Sequence, residues 1–162
     1  MNYRRIFADG YSYYITMVTH QRNPILIDNI EALRNAFRYS KKRYDYTIDA
    51  IVVLPDHLHM VITPKNAKEY PKIITNIKRS FVYKTVGLGI LTPTINTENK
   101  LTLSLSKYKR KHAAVWQERY YEHTIRDEKD WHNVMEYIKH NPIKHGLVED
   151  IKDWTYSSFI QP

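Results

Sequence analysis

Runs of apolar and alternating side chains predict three β-strands in the first half of the chain. Residues 11–19 are mostly aromatic and β-branched, with Tyr11, Tyr13, Ile15 and Met17 on one face, a pattern typical of a strand with one buried face. The Ile- and Val-rich run 46–54 predicts a buried strand, and residues 57–63 resume a strand after the break at Pro55-Asp56. Because so short a break joins them, the last two strands are most simply an antiparallel hairpin.

Three segments carry apolar side chains at the spacing of an α-helix. The first follows Asp28, which is placed to cap it, and the second opens at Tyr70-Pro71, since proline suits the first helical turn. The third begins at Asp127, and we expect it to end at Pro142. The order β-α-β-β-α predicts an α+β fold of the ferredoxin-like, split βαβ type, with an antiparallel sheet.

One long segment shows neither the apolar spacing of a strand nor that of a helix. Residues 87–114 are rich in Thr, Ser, Asn and Leu, and so long a structureless stretch in a compact domain is usually functional or mobile. Residues 115–125 then predict a further strand, and we expect the tail through Asp153-Trp154 to pack against the body. We expect residues 1–162 to form a single domain, because a second domain usually needs more length.

Composition and charge narrow the class of protein. The chain has 25 Lys+Arg and 17 Asp+Glu, a formal net charge of +8, which favours a polyanionic partner, either nucleic acid or an anionic membrane surface. The absence of cysteine excludes disulfides, thiolate metal sites and cysteine nucleophiles. No apolar run is longer than Ala50–Leu54, so no transmembrane helix is predicted, and Met1–Arg5 lacks the apolar segment of a secretory signal. We therefore expect a cytoplasmic protein that binds nucleic acid.

His57-Leu58-His59 is the strongest local candidate for chemistry. Residues two apart on a strand project from the same face, so both imidazoles are expected to point the same way. Two neighbouring neutral imidazoles supply half of a divalent metal site. Histidines that only pack, or that are only exposed, would show the same spacing, so the pair alone leaves a metal site and a structural role both open.

The last predicted helix places Tyr137 and Asn141 one turn apart at the rim of its apolar stripe. A tyrosine there is half sheltered, and its hydroxyl can reach a cleft. The carbonyl oxygen of Asn141 suits a hard cation such as Mg²⁺ or Mn²⁺. Packing of the tyrosine, and helix termination by the asparagine before Pro142, are the alternatives that the spacing leaves open.

Basic side chains group on the second predicted helix and shortly before the fourth predicted strand. Such groups can follow a phosphate backbone, although solvated helix faces and loops are often basic without that role. The candidates for nucleic-acid contact are Lys72, Lys78, Arg79, Lys84, Lys109, Arg110 and Lys111.

Two motifs stand out in combination, LPDHLH at residues 54–59 and EYIKHNPIKHG at residues 136–146, with supporting matches at 116–126 and 153–159. Together they resemble the single-tyrosine HUH transposases, in particular the branch of REP-associated tyrosine transposases. The resemblance covers nearly the whole chain. It implies an HUH endonuclease fold, which is ferredoxin-like (RRM-like), with a C-terminal helix that carries the tyrosine.

The resemblance also implies a chemistry for the candidate residues. His57 and His59 would be the metal-binding pair, Asn141 would complete the site, and Tyr137 would be the nucleophile. The implied activity is cleavage and rejoining of single-stranded DNA near a hairpin through a 5′-phosphotyrosine, with Mg²⁺ or Mn²⁺ as the cofactor. The implied partner is a REP-like hairpin or an insertion-sequence end, and the branch favours a monomer over a dimer in the bacterial cytoplasm, associated with the nucleoid.

Two other functions stay open at this point. A non-catalytic binder of structured single-stranded DNA or RNA would have the same fold, since an aromatic ferredoxin-like sheet is also the plan of RNA-recognition domains. A metal-dependent phosphodiesterase would use water instead of tyrosine. A Tyr137→Phe variant separates the three functions, because only the tyrosine transferase loses both cleavage and a covalent DNA adduct.

Overall fold

The computed structural model describes residues 5–87 and 115–160. Four strands form one sheet: β1 Ser12–Val18, β2 Tyr46–Val53, β3 His57–Pro64 and β4 Tyr121–Ile125. The long helices are α1 Ile30–Arg43, α2 Tyr70–Val82 and α3 Glu128–Lys144. The strand order is β2-β3-β1-β4 and every pairing is antiparallel. This confirms the predicted split βαβ arrangement, including the hairpin of β2 and β3.

Alternation along β3 divides its side chains between two layers. Leu58, Met60 and Ile62 are fully buried in a core that α1 and α2 cover. Val61 is buried on the other face, together with Tyr14 and with the apolar side chains of α3. The odd-numbered residues of β3 therefore face α3, which gives this side of the sheet a separate and smaller core.

The helix α1 begins one residue later than its predicted cap implies. Its first i→i−4 hydrogen bond runs from the backbone N–H of Leu33 to the carbonyl of Asn29, at 3.1 Å, so Asn29 and not Asp28 is the N-cap residue. The Asn29 side chain donates to the Ile25 carbonyl at 2.8 Å and leaves the helix itself uncapped. Asp28 belongs to the preceding turn. Packing of the apolar stripe against α2, more than a cap, therefore holds this helix.

Pro142 lies inside α3, so the prediction that it ends the helix is wrong. A proline removes only one i→i−4 hydrogen bond, and the helix continues past it to Lys144. The helix is closed by Gly146, which adopts a left-handed φ of +68°. The N–H groups of Gly146 and Leu147 donate to the carbonyls of Ile143 and Pro142 at 2.9 and 3.0 Å, which is the Schellman motif.

The prediction of a strand over 115–125 is only partly right. Trp116 forms an isolated bridge with Thr19, and regular pairing begins at β4. Of the aperiodic segment 87–114, only Gly87 falls within the described residues, as the end of a short π-helical turn after α2. No described helix, in residues 5–87 or 115–160, combines the length and the apolar character that crossing a bilayer requires.

The tail packs against the outer edge of β2, as expected. The indole N–H of Trp154 donates to the Val53 carbonyl at 2.9 Å. Backbone hydrogen bonds follow from Val53 to the Tyr156 carbonyl at 2.8 Å and from Ser158 to the Ile51 carbonyl at 2.9 Å. The tail therefore satisfies backbone groups of β2 that would otherwise form a free sheet edge.

Candidate active site

Two histidines of β3 lie side by side on the face of the sheet that α3 covers. The rings of His57 and His59 have centroids 4.9 Å apart and cross at 84°. Both residues are buried, while Leu58 between them points into the opposite core. The structure thus brings the two imidazoles together on one face, as the spacing predicts.

Asp56 fixes the tautomer of His57. The ring Nδ1–H of His57 donates to Oδ1 of Asp56 at 2.6 Å, and Arg22 approaches Oδ2 of the same carboxylate at 3.3 Å. Burial alone would raise the pKa of Asp56, but the hydrogen bond from His57 and the charge of Arg22 outweigh it and hold that pKa below its usual value. Because an ionised carboxylate only accepts, the proton of neutral His57 sits on Nδ1 and leaves Nε2 as the ligand atom.

His59 is held by two hydroxyl groups. The Tyr14 and Thr16 hydroxyls each lie 2.8 Å from Nδ1 of His59. The other ring nitrogen, Nε2, is buried and makes no hydrogen bond within the described residues. Burial, followed by the repulsion that a protonated His57 would exert, lowers the pKa of His59 to about 3. The ring is therefore neutral at physiological pH, which is the form that binds a metal.

One face of α3 lies over the histidine pair. Tyr137, Asn141 and His145 follow each other at intervals of one turn and so share that face. The ring of Tyr137 lies 5.4 Å from that of His59, and the ring of His145 lies 5.0 Å from that of His57, both measured between centroids. Asn141 lies between Tyr137 and His145 on the helix and is fully buried, so it belongs to the face that covers the histidine pair.

Asn141, like Nε2 of His59, is a buried polar group of this site without a hydrogen bond among the described residues. The residue is fully buried, and neither its amide nitrogen nor its amide oxygen has a partner among the described residues. A buried polar group left unpaired costs about 1–3 kcal/mol, so such a position calls for a ligand. Two imidazole nitrogens and one amide oxygen fit a divalent cation that accepts mixed N and O ligands. Within residues 5–87 and 115–160 no three His, Cys, Asp or Glu side chains cluster as a metal site, so a cation bound by the two histidines would need a ligand of another type, such as this amide.

Tyr137 combines packing with access to solvent. Its ring meets the Tyr14 ring edge-on at 6.3 Å, and the ammonium of Lys144 lies 4.6 Å from its centroid. The side chain is nevertheless 40% exposed. No hydrogen bond engages its hydroxyl in the part of the chain that the structure describes, so the phenol is available to a substrate.

A basic groove lies in the helical layer on the opposite face of the sheet. Lys72 and Arg79 are exposed, and with Arg43, Tyr44 and Asn76 they line a groove of about 300 Å³ between the end of α1 and one side of α2. This brings together two of the predicted nucleic-acid contacts and adds an arginine from α1. Of the other candidates, Lys84 is half-exposed. Three candidates, Lys109, Arg110 and Lys111, lie outside the described residues.

Lys78 is buried, although the sequence predicted it to be a basic side chain that contacts nucleic acid. The residue is only 4% exposed, and its ammonium donates to the backbone carbonyls of Gln117 at 2.9 Å and Glu118 at 3.5 Å. Burial lowers its pKa to about 8. Lys78 therefore ties α2 to the chain after Trp116 and is directed away from solvent.

The groups that support the candidate ligands were not predicted from the sequence. Tyr14 and Thr16 have the strand parity opposite to the apolar residues of β1, a detectable signal, but their contact with His59 depends on the pairing of β1 with β3. Lys144 and His145 lie beyond the predicted end of the last helix, so their approach to the site was not foreseen.

Comparison with known proteins identifies the family. Residues 8–85 match the family of IS200-like transposases. A Haemophilus influenzae relative named among the REP-associated tyrosine transposases is 38% identical over 160 residues, which cover 98% of this chain and 85% of the relative. The REP-associated tyrosine transposase of Escherichia coli is 30% identical over 159 residues, covering 97% of this chain and 81% of that protein.

A solved structure agrees with these sequence matches. It is that of a REP-associated tyrosine transposase bound to a REP hairpin, with a TM-score of 0.76 and 28% sequence identity. The match covers 98% of this chain and 82% of the other. The resemblance noted in the motifs is confirmed, and the chain belongs to the family of REP-associated tyrosine transposases.

Proposed function

We propose that the chain is a metal-dependent endonuclease and strand transferase that cleaves single-stranded DNA near hairpins through a 5′-phosphotyrosine. The observation that carries the proposal is the contact between Tyr137 and His59, whose ring centroids are 5.4 Å apart within one chain. Because a single chain supplies the candidate nucleophile and the candidate ligands, we further propose that it acts as a monomer.

Tyr137 is the nucleophile of this proposal. Its phenolic oxygen attacks the phosphorus, the bond from phosphorus to the 3′ oxygen breaks, and the phenolic proton passes to solvent. The 3′ oxygen takes a proton from water and leaves as a hydroxyl, while the 5′ phosphate stays bound to the tyrosine. The phosphotyrosine retains the energy of the broken linkage, so the reverse attack by a 3′-hydroxyl rejoins strands without ATP.

His57, His59 and Asn141 would hold Mg²⁺ or Mn²⁺ in this proposal. A bound divalent ion supplies Lewis acidity toward a non-bridging oxygen of the scissile phosphate. The surrounding side chains prepare the ligands: Asp56 keeps the His57 proton on Nδ1, and the Tyr14 hydroxyl engages Nδ1 of His59. In each ring, Nε2 is the nitrogen left to act as a ligand.

The proposed substrate is single-stranded DNA that carries a hairpin. The relative of similar structure is bound to a REP hairpin, and this chain has a net charge of +8. The basic groove at Arg43, Lys72 and Arg79 offers cations for the phosphate backbone, which supplies most of the affinity in nonspecific binding. Such a substrate would place the protein with the bacterial nucleoid, in the cytoplasm.

The test is a search for a covalent adduct. The protein is incubated with Mn²⁺ and hairpin-bearing single-stranded DNA labelled at its 3′ end, denatured, and separated by electrophoresis. We expect a denaturation-resistant adduct that mass spectrometry assigns to Tyr137, and none with Tyr137→Phe, although that variant binds the hairpin normally. Tyr121→Phe is the matched control, because Tyr121 is an exposed tyrosine on the neighbouring β4.

Two outcomes would overturn the proposal in favour of the alternatives. Hairpin binding without any adduct from the unaltered protein would indicate a non-catalytic binder of structured nucleic acid. Cleavage that persists in Tyr137→Phe would indicate a phosphodiesterase that uses water.

A further inference from the structure

Lys144 lies unusually close to the ring of Tyr137. Its ammonium nitrogen is 4.6 Å from the ring centroid, whereas the other cation–ring contacts of the described residues are each 5.6 Å. The two residues are seven positions apart on α3, close to two full turns, so they share one face of the helix. Continuation of α3 past Pro142 is what places the lysine beside the tyrosine.

The charge of Lys144 is not neutralised by the protein. The ion pairs of the described residues do not include it. Asp56, the carboxylate next to the histidine pair, is engaged by His57 and Arg22. The side chain is exposed at the mouth of the site. A cation beside two buried imidazoles, with no anion of its own, is electrostatically complementary to a phosphate that enters from solvent.

We propose that Lys144 binds a non-bridging oxygen of the scissile phosphate while Tyr137 attacks it. This inference rests on the proposed function. An attacked phosphorus lies about 3–3.5 Å from the nucleophilic oxygen. The flexible four-carbon stem of lysine lets the ammonium reach an oxygen of that phosphate. As the phenolic oxygen attacks, negative charge builds on the equatorial oxygens, and the contact with the ammonium strengthens. The contact is electrostatic, and the step as written transfers no proton from the lysine.

A purely structural role makes a different prediction. Lys144 is in the last turn of α3, where any cation interacts favourably with the helix dipole. Loss of that interaction would lower stability, and it would affect every substrate alike. Loss of a phosphate contact would instead depend on the charge of the phosphate that is cleaved.

The experiment varies the lysine and the phosphate together. Single-turnover adduct formation with Mn²⁺ is measured on hairpin-bearing single-stranded DNA that has either a normal phosphodiester or a neutral methylphosphonate at the cleaved position. On the phosphodiester we expect Lys144→Met to slow adduct formation about 100-fold, the usual cost of one lost oxyanion donor. We expect Lys144→Arg, which restores the cation, to recover most of the rate. Lys129→Ala, an exposed lysine at the other end of α3, is the charge-matched control and should leave the rate unchanged.

On the methylphosphonate, Lys144→Met and the unaltered protein should differ by much less than on the phosphodiester, because the charge to be neutralised is gone. The inference is overturned if Lys144→Met matches Lys129→Ala on the phosphodiester, if arginine fails to rescue, or if both substrates suffer equally. These results leave the proposed function standing as long as the unaltered protein forms the adduct. Absence of that adduct would overturn the proposed function itself, and the inference with it.

Discussion

The hydroxyl of Tyr14 lies 2.8 Å from Nδ1 of His59, and the edge of the same tyrosine ring meets Tyr137. One residue of β1 thus contacts both a candidate metal ligand on β3 and the candidate nucleophile on α3. Burial raises the pKa of Tyr14 to about 12, so its hydroxyl keeps its proton at physiological pH. The phenol therefore acts as a fixed polar support for the histidine and is poorly suited to be a nucleophile itself.

Tyr14→Phe should weaken Mn²⁺ binding. Groups that support metal ligands typically contribute 10- to 100-fold in affinity. We expect a loss of about 10-fold, at the lower end of that range, because Thr16 still contacts Nδ1 of His59. Isothermal titration calorimetry measures the affinity. Tyr13→Phe is the control, since the Tyr13 hydroxyl donates to the Ile6 carbonyl and its ring lies in the opposite core. Equal affinities for the two variants would contradict the prediction.

Asn141→Leu should stabilise the metal-free protein while removing its response to Mn²⁺. Leucine is similar in volume and relieves the cost of a buried, unpaired amide, so we expect a gain in the free energy of unfolding of about 1 kcal/mol. A ligand that binds only the folded state raises Tm, and this increment should disappear with the amide oxygen. Thermal denaturation with and without Mn²⁺ measures both effects. Asn133→Leu, an exposed position on the same helix, should keep the full Mn²⁺ increment; a full increment in Asn141→Leu would exclude Asn141 as a ligand.

Lys78 should make stability rise with pH above about 8. Its pKa in the folded protein is about 8, below its ordinary value of 10.5. Between these values the unfolded chain binds more protons than the folded one, so a rise in pH favours folding. The free energy of unfolding, measured in urea from pH 7 to 10.5, should increase with pH relative to that of Lys78→Met. The contributions of the other titrating groups to the free energy of unfolding are common to both proteins and cancel in this difference. Lys72→Met, at an exposed lysine, should show no such trend.

The basic groove should contribute to the salt dependence of hairpin binding. Each phosphate neutralised adds about 0.7–0.9 to the slope of log affinity against log salt. Arg43→Ala, Lys72→Ala and Arg79→Ala should each reduce the slope by about that amount, as measured by fluorescence anisotropy between low and physiological salt. Lys129→Ala is the control, because it removes one positive charge at a position that does not line the groove. If all four variants keep the original slope, the hairpin does not contact this groove.

Features that depend on local period were predictable from the sequence. The common direction of His57 and His59 follows from strand alternation alone, and the order of strands and helices follows from apolar spacing. The support from Tyr14 and Thr16 was not predictable, because it requires the register that pairs Thr16 with His59 across β1 and β3. Alternation fixes the face that each side chain takes, but it leaves open by an even number of residues how β1 and β3, which no turn joins, align.

The errors at Lys78 and Pro142 also arise from contacts distant in sequence. A lysine at helical spacing is normally solvated, and its burial here depends on carbonyls of Gln117 and Glu118, far along the chain. Pro142 is a usual end of a helix, but the hydrogen bonds that Gly146 and Leu147 return to the last turn keep it helical. A prediction that α3 ends at Gly146 would have placed Lys144 on the same helix face as Tyr137.

The hydrogen bonds of Tyr156 and Ser158 to β2 have a consequence for self-association. An open strand edge is a template on which another copy of a chain can add a strand, and repetition of that step leads to aggregates. The tail already occupies the outer edge of β2, so growth of the sheet through that edge is blocked. Residues 154–158 thus close one edge of the sheet to strand addition by a second copy of the chain.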